Sequence, residues 1–281
     1  NSIIQEEIIM IANLNDVLPQ AQKNGYAVGL FNTIDTDMLE GAISAAEELN
    51  SPIIIGTAEV LLPYGELSLI TPSIINAAKN ASVPVVVHYD HGLTFEALKL
   101  GFSSVMFDAS VLDYDENIKQ TREIVKIAHA MGSTVEGEIG HVGDNGADSA
   151  ADIYTSVEMA KDYTDKTNTD ACAVAFGTAH GKYLKKPKLD FERLKDIRAA
   201  VDVPLVMHGG SGLSDDDFKT AVKCGIAKIN IFTDLCTAGE DAVKSACEEN
   251  IGYLKMRNKK VMAIKEAVKR KILLFGSQDN A

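Results

Sequence analysis

Basic residues are in deficit in this sequence: 27 Lys+Arg stand against 40 Asp+Glu, a formal net charge of −13 over 281 residues. Such a surplus repels phosphate backbones and anionic bilayers, so neither nucleic acid nor a membrane is expected as a partner. An anionic small molecule would need a local holding device, such as backbone amides or a metal. Apolar runs approaching the roughly 18 residues of a membrane span are missing. The four cysteines, Cys172, Cys224, Cys236 and Cys247, include no C-x-x-C pair. That argues against a secreted disulfide framework and suits reduced thiols in a cytoplasm. Linkers, low-complexity tracts and composition breaks are also lacking, which points to one domain. Residues 1–9 (NSIIQEEII) have neither the basic start nor the small-residue cleavage site of a signal peptide. They are expected to be an extension ahead of a single catalytic domain over residues 10–281.

One unit recurs. Short β-branched runs fall at residues 26–32, 52–57, 83–90, 103–109, 133–140, 170–177, 203–209 and 227–233. Between them the spacing predicts helices over 35–49, 94–100, 117–130, 156–163, 190–200, 214–224 and 235–247. Ser214 reads as a cap, with Asp215, Asp216 and Asp217 as a solvated first turn that suits the helix dipole. Residues 255–260 read as a solvated helix face. Strands alternating with helices imply parallel pairing with right-handed crossovers, and near-continuous apolar strands imply that both faces are covered. Eight such units fit a single (β/α)8 TIM barrel, with an open doubly-wound sheet as the alternative.

In a barrel, chemistry gathers at the carboxyl ends of the strands. Polar groups sort to that end here. The third run ends in His88-Tyr89-Asp90-His91-Gly92, the fourth at Asp108, and the fifth carries Glu136 and Glu138. The sixth ends in Thr178-Ala179-His180-Gly181, the seventh in His208-Gly209-Gly210-Ser211-Gly212, and the eighth in Asn230-Ile231-Phe232-Thr233. Three histidines, His91, His180 and His208, are each followed by glycine, which lets the chain turn and a ligand approach. Three imidazoles match the ligand count of a catalytic zinc with an open position. Each is also compatible with an ordinary structural hydrogen bond. The run of Gly209, Gly210, Ser211 and Gly212 lies where barrels commonly bind phosphate through backbone N–H groups, and Ser211 and Thr233 add hydroxyls. Asp90 would be an acid/base group beside the metal. Strand neighbours point to opposite faces, however, so Asp90 and His91 share a site only if the strand ends between them. Inward carboxylates at Glu136, Glu138 and Asp108 are costly unless functional.

The strings VVHYDHG, EGEIGHVG, FGTAHGKY, VMHGGSGL and KINIFTDL, together with the terminal KILLFGS, resemble the zinc-dependent class II ketose-phosphate aldolases of the tagatose/fructose-bisphosphate type. The resemblance runs from about Met10 to Ser277. It implies a (β/α)8 barrel lyase that cleaves a ketose 1-phosphate or ketose 1,6-bisphosphate reversibly to dihydroxyacetone phosphate and an aldehyde through an ene-diolate. It implies that His91, His180 and His208 bind Zn2+, that Asp90 is the acid/base on the C4 hydroxyl, and that Asp108 and Glu138 serve an alternate metal position. Glu138 or a mobile carboxylate in the following loop would protonate C3. Gly181, Gly209, Gly210, Ser211 and Asn230, Ile231, Phe232, Thr233 would bind the triose phosphate. Ala179, Gly181 and Gly209 resemble a monovalent-cation site for Na+ or K+. A homodimer or homotetramer is implied too.

Three features depart from the family pattern. The helix between His91 and Asp108 is short. The loop after Glu138 is also short, with Asp144, Asp148 and Asp152 as candidates for its carboxylate. The arginine-bearing segment for a second phosphate reads YLKMRNKK, leaving Arg257 out of place. With His88 and His141, this is similar to the subgroup whose aldehyde half need not carry a phosphate. Other readings of the residues are a Schiff-base role for Lys228, a metal-dependent sugar-phosphate isomerase or epimerase, and a non-catalytic aldolase partner subunit.

Overall fold

The computed structural model describes residues 11–92, 94–140, 154–178 and 187–281. The chain opens with a short strand β1 (Ile11–Ala12) and a helix α1 (Leu14–Asn24). Eight strands follow: β2 (Val28–Asn32), β3 (Ile53–Ala58), β4 (Val85–Asp90), β5 (Ser104–Phe107), β6 (Thr134–Ile139), β7 (Ala171–Val174), β8 (Leu205–Met207) and β9 (Ile226–Ile231). They interleave with α2 (Thr36–Glu48), α3 (Leu67–Asn80), α4 (Thr94–Lys99), α5 (Tyr114–Ala130), α6 (Val157–Thr167), α7 (Phe191–Ala200), α8 (Asp215–Lys223), α9 (Thr233–Glu248) and α10 (Tyr253–Phe275). All strand pairings in the sheet are parallel, and the contacts β2–β9 and β4–β5 close β2 to β9 into a TIM barrel. β1 pairs in parallel with the start of β4.

Each of the eight runs in the sequence became one barrel strand. The helices between them required correction. α1, α3 and α10 fall outside the predicted series, and α5 and α9 begin earlier than 117 and 235. α1 and α3 carry Pro19 and Pro72 inside them, where proline removes a ladder bond. Burial outweighs that loss. α1 turns Leu14, Val17, Leu18 and Ala21 inward, and α3 does the same with Leu67, Ile70, Ile74 and Ala78. Along α10 the buried residues Val261, Ile264, Val268, Ile272 and Phe275 recur at helical spacing. That stripe packs against α2 and α9. Lys260 of the expected solvated face instead bridges Asp35 and Asp37. Ser214 does cap α8, in a reciprocal box with Asp217.

Two apolar regions result. One lies between strands and helices. The other fills the barrel and joins Val28, Leu30, Ile54, Val86, Met106 and Val206 to the α1 residues that plug its amino end. Further along the same strands the inward positions turn polar: Asn32 after Leu30, His88 and Asp90 after Val86, His208 after Val206. Side chains alternate at period two, so an apolar floor and a polar mouth are written along these strands. No helix among the described residues is long and apolar enough to cross a membrane.

Truncating the floor tests this division. Leu18→Ala is expected to cost about 2–5 kcal/mol of stability in urea unfolding, with the metal affinity of the mouth unchanged.

Candidate functional site

Asp90 is the last residue of β4 and points into the barrel. His91 then takes φ 41° and Gly92 φ 129°, a turn that ends the pleat at once. The His91 carbonyl accepts from the backbone N–H of Glu59, 3.0 Å away. Neighbours that would face opposite ways in a strand therefore face the same mouth, with Asp90 Oδ1 4.0 Å from His91 Nε2. Gly92 is required by its φ, and a Cβ there would collide with Glu59.

Two amides orient the Asp90 carboxylate. Asn32 donates from Nδ2 to Oδ2 at 2.8 Å, and Asn230 donates from Nδ2 to Oδ1 at 3.0 Å. Asn32 fits because residue 56 is glycine, where a Cβ would stand 2.6 Å from Asn32 Oδ1. Burial alone would raise the pKa of Asp90. The positive charges of His91 and Lys228 override it and hold the carboxyl well below the usual range. Asn32 is a site residue that sequence reasoning overlooked. It ends the first strand run, so the strand-end rule pointed to it.

His91 and His208 approach from strands 117 residues apart, with His91 Nε2 3.0 Å from His208 Nδ1. The far nitrogen of each ring lies on a carboxylate: His91 Nδ1 on Asp108 Oδ2 at 3.0 Å, and His208 Nε2 on Glu136 Oε1 at 2.7 Å. Glu136 Oε2 in turn meets Lys228 Nζ at 2.7 Å, and Lys228 donates to Asn230 Oδ1 at 2.7 Å. Burial would raise the pKa of Glu136, but Lys228 and His208 bring it down to about 2. Burial, then Lys228, pushes His88 down to about 3. His88 is thus neutral, with Nδ1 2.7 Å from Ser104 Oγ. Lys228 Nζ is committed to Glu136 and Asn230, which is a poor arrangement for a Schiff-base nucleophile.

Potential ligand atoms cluster within 4.8 Å of one another in two overlapping groups, Asp90–His91–His208 and His91–Asp108–Glu138. The donor set fits a divalent metal. Two imidazole nitrogens converge while the opposite nitrogen of each ring faces a carboxylate, the arrangement that orients metal-ligating histidines. His180, Ala179 and Gly181, with His141, Asp144, Asp148 and Asp152, lie outside the described residues. Gly209 and Gly210 follow His208 just beyond β8, and Ser211 is buried in the same loop. Asn230 and Ile231 end β9, and Thr233 is the first residue of α9. Of these, the Asn230 side chain reaches Asp90, whereas Ile231 and Phe232 pack toward the helical layer. Arg257 pairs with Asp37 and Glu40 on α2.

The sequence model described as fructose-bisphosphate aldolase class-II matches residues 12–280. The chain is 40% identical over 279 residues to YdjI of Escherichia coli K12, covering 97% of this chain and 100% of that one. It is 38% identical to a sulfofructosephosphate aldolase of Alkalicoccus urumqiensis, covering 94% and 96% of the two chains. A fructose-bisphosphate aldolase of Staphylococcus aureus strain Mu50 is 35% identical, with 96% and 99% covered. The crystal structure of the Escherichia coli YdjI aldolase superposes with a TM-score of 0.87 at 37% identity, over 96% of this chain and 99% of that one.

Burial lowers the proton affinity of His91, but the Asp108 hydrogen bond and the charges of Asp90 and Glu138 more than offset it and raise its pKa to about 9. A raised folded-state value stabilises the metal-free protein fully below the unfolded value near 6.5. That contribution is lost as pH rises through about 9. Metal must displace the same proton, so its affinity should run the other way and tighten with pH over this window. An NMR titration of the metal-free His91 ring should show a midpoint near 9, lowered in Asp108→Asn. A midpoint near the ordinary value in both proteins would refute the assignment.

Proposed function

The chain belongs to the class II fructose-bisphosphate aldolase family and is a lyase, and from that premise we propose that it cleaves a ketose 1-phosphate to dihydroxyacetone phosphate and an aldehyde in a zinc-dependent, reversible reaction. The observation that carries the reading is the pair of facing imidazoles, His91 and His208, beside a carboxylate held by two amides. His91 Nε2 and His208 Nδ1, with His180 as the third ligand, would hold the ion. When bound, zinc supplies Lewis-acid stabilisation of the developing oxyanion, an effect of several kcal/mol.

The remaining chemistry belongs to the chain. In cleavage, Asp90 takes the proton from the C4 hydroxyl. The C4 oxygen then forms the aldehyde carbonyl, and the C3–C4 electron pair passes into the ene-diolate of the triose phosphate. Asp90 is ionised at neutral pH, and Asn32 and Asn230 aim its two oxygens. In condensation the same proton returns to the alkoxide. In the cleavage direction Glu138, or one of Asp144, Asp148 and Asp152 in the loop beyond it, delivers a proton to C3 of the ene-diolate to release dihydroxyacetone phosphate, and in condensation the same group removes it. The phosphate would sit on Gly209, Gly210 and Ser211 beside the amino end of α9, where backbone N–H groups and the helix dipole favour an anion on an otherwise acidic protein. A monovalent cation on Ala179, Gly181 and Gly209, and assembly as a homodimer or homotetramer, complete the proposal.

The aldehyde half differs among relatives. Those above are named for a sulfonated ketose phosphate and a ketose bisphosphate. Here Arg257 is engaged with Asp37 and Glu40, which supports an aldehyde half without a second anion. A screen of phosphorylated and unphosphorylated aldehydes against dihydroxyacetone phosphate should favour the unphosphorylated ones.

Asp90→Ala is expected to lower kcat about 10²–10⁴-fold while retaining full zinc stoichiometry, read by a coupled assay for released dihydroxyacetone phosphate. A chelator should abolish turnover and zinc should restore it, with no covalent adduct trapped by borohydride. Unimpaired cleavage by Asp90→Ala, or trapping on Lys228, would overturn the mechanism. A sugar-phosphate isomerase would release no triose phosphate in the same assay.

A further inference from the structure

Beneath the facing imidazoles lies an ion pair that the proposed chemistry does not use. Lys228 and Glu136 have no accessible side-chain surface, and His208 has 1%. A buried pair of this kind is weak evidence for stability, because desolvating both charges offsets most of their attraction. Its geometry is more specific than its energy. Glu136 divides its oxygens, Oε2 to Lys228 Nζ at 2.7 Å and Oε1 to His208 Nε2 at 2.7 Å. An ionised carboxylate only accepts, so the His208 nitrogen that faces it carries the proton. In the neutral ring the lone pair is then on Nδ1, the atom that faces His91 Nε2.

We propose that Glu136 and Lys228 are positioning residues: the ammonium locks the carboxylate, the carboxylate locks His208 as the Nε2–H tautomer, and the Nδ1 lone pair is thereby presented to the metal. Both lie on barrel strands, β6 and β9, so the support is set by strand register and not by a loop. The inference rests on the reading of His91 and His208 as metal ligands.

Removing one partner would leave a buried charge alone and confuse folding with function. The test therefore compares Glu136→Leu/Lys228→Met, which removes both charges and the acceptor, with Glu136→Gln/Lys228→Met, which removes both charges but keeps a carbonyl for Nε2–H. Zinc affinity is read by chelator competition, the ligand field by the visible spectrum of the cobalt-loaded protein, and folding by the thermal midpoint. Glu136→Leu/Lys228→Met should bind zinc about 10–100-fold more weakly with a shifted cobalt spectrum, and Glu136→Gln/Lys228→Met should recover most of the loss. Equal affinities within twofold in both variants and the wild type would overturn the proposal. A measurement on the wild type stands independently of variant folding: the ¹⁵N signals of His208 in the zinc-loaded protein should show Nδ1 metallated and Nε2 protonated, and the reverse would refute it. Wild-type protein that takes up no zinc would overturn the underlying reading of the metal site and this inference with it.

Discussion

The carboxylate of Glu136 is fully buried inside the barrel, and Lys228 is what makes that tolerable. An isolated ion at such depth would neutralise itself or distort the fold. With the ammonium 2.7 Å away the carboxylate stays ionised, and its second oxygen is free to orient an imidazole. The rest of the mouth is built outward from that pair. His208 stands on Glu136, His91 faces His208, and Asp108 backs His91. The other donor bond of Lys228 fixes the Asn230 amide, whose Nδ2 then points at Asp90. One buried cation thus sets the orientation of a candidate metal ligand and of a candidate acid/base group.

This network occupies the upper part of a barrel whose lower part is apolar and plugged by α1. On β2, β4 and β8 period-two alternation carries the division along the strand: one inward position packs the floor and the next arms the mouth. The proposed substrate half of the site belongs to loops, which differ in kind. Gly209, Gly210 and Ser211 follow His208 at the carboxyl end of β8, the strand paired with β9 that leads into α9, and in the proposed function an anion there would meet backbone amides and a helix dipole. An acidic chain can bind a phosphate in this manner without a basic surface.

The fold was largely legible in the sequence because its strands are apolar on both faces and end in polar residues, two signals that survive without an alignment. The helices were less legible. Pro19 and Pro72 mimic breaks in α1 and α3, and the lysines of α10 hide an apolar stripe at helical spacing. At the site, residue types were readable but pairings were not. His91 facing His208 across 117 residues is a consequence of barrel closure. Glu136 meeting Lys228 leaves no local signature. The conflict between Asp90 and His91 was resolved by a left-handed backbone at a non-glycine residue, which no spacing rule anticipates.

X-ray absorption at the zinc edge of the metal-loaded protein would test the central claim most directly. The account requires imidazole nitrogens at about 2.0–2.1 Å, with the signal of one ring lost in His91→Ala and of another in His208→Ala. A first shell made of oxygen or sulfur alone, or one unchanged by either substitution, would contradict it.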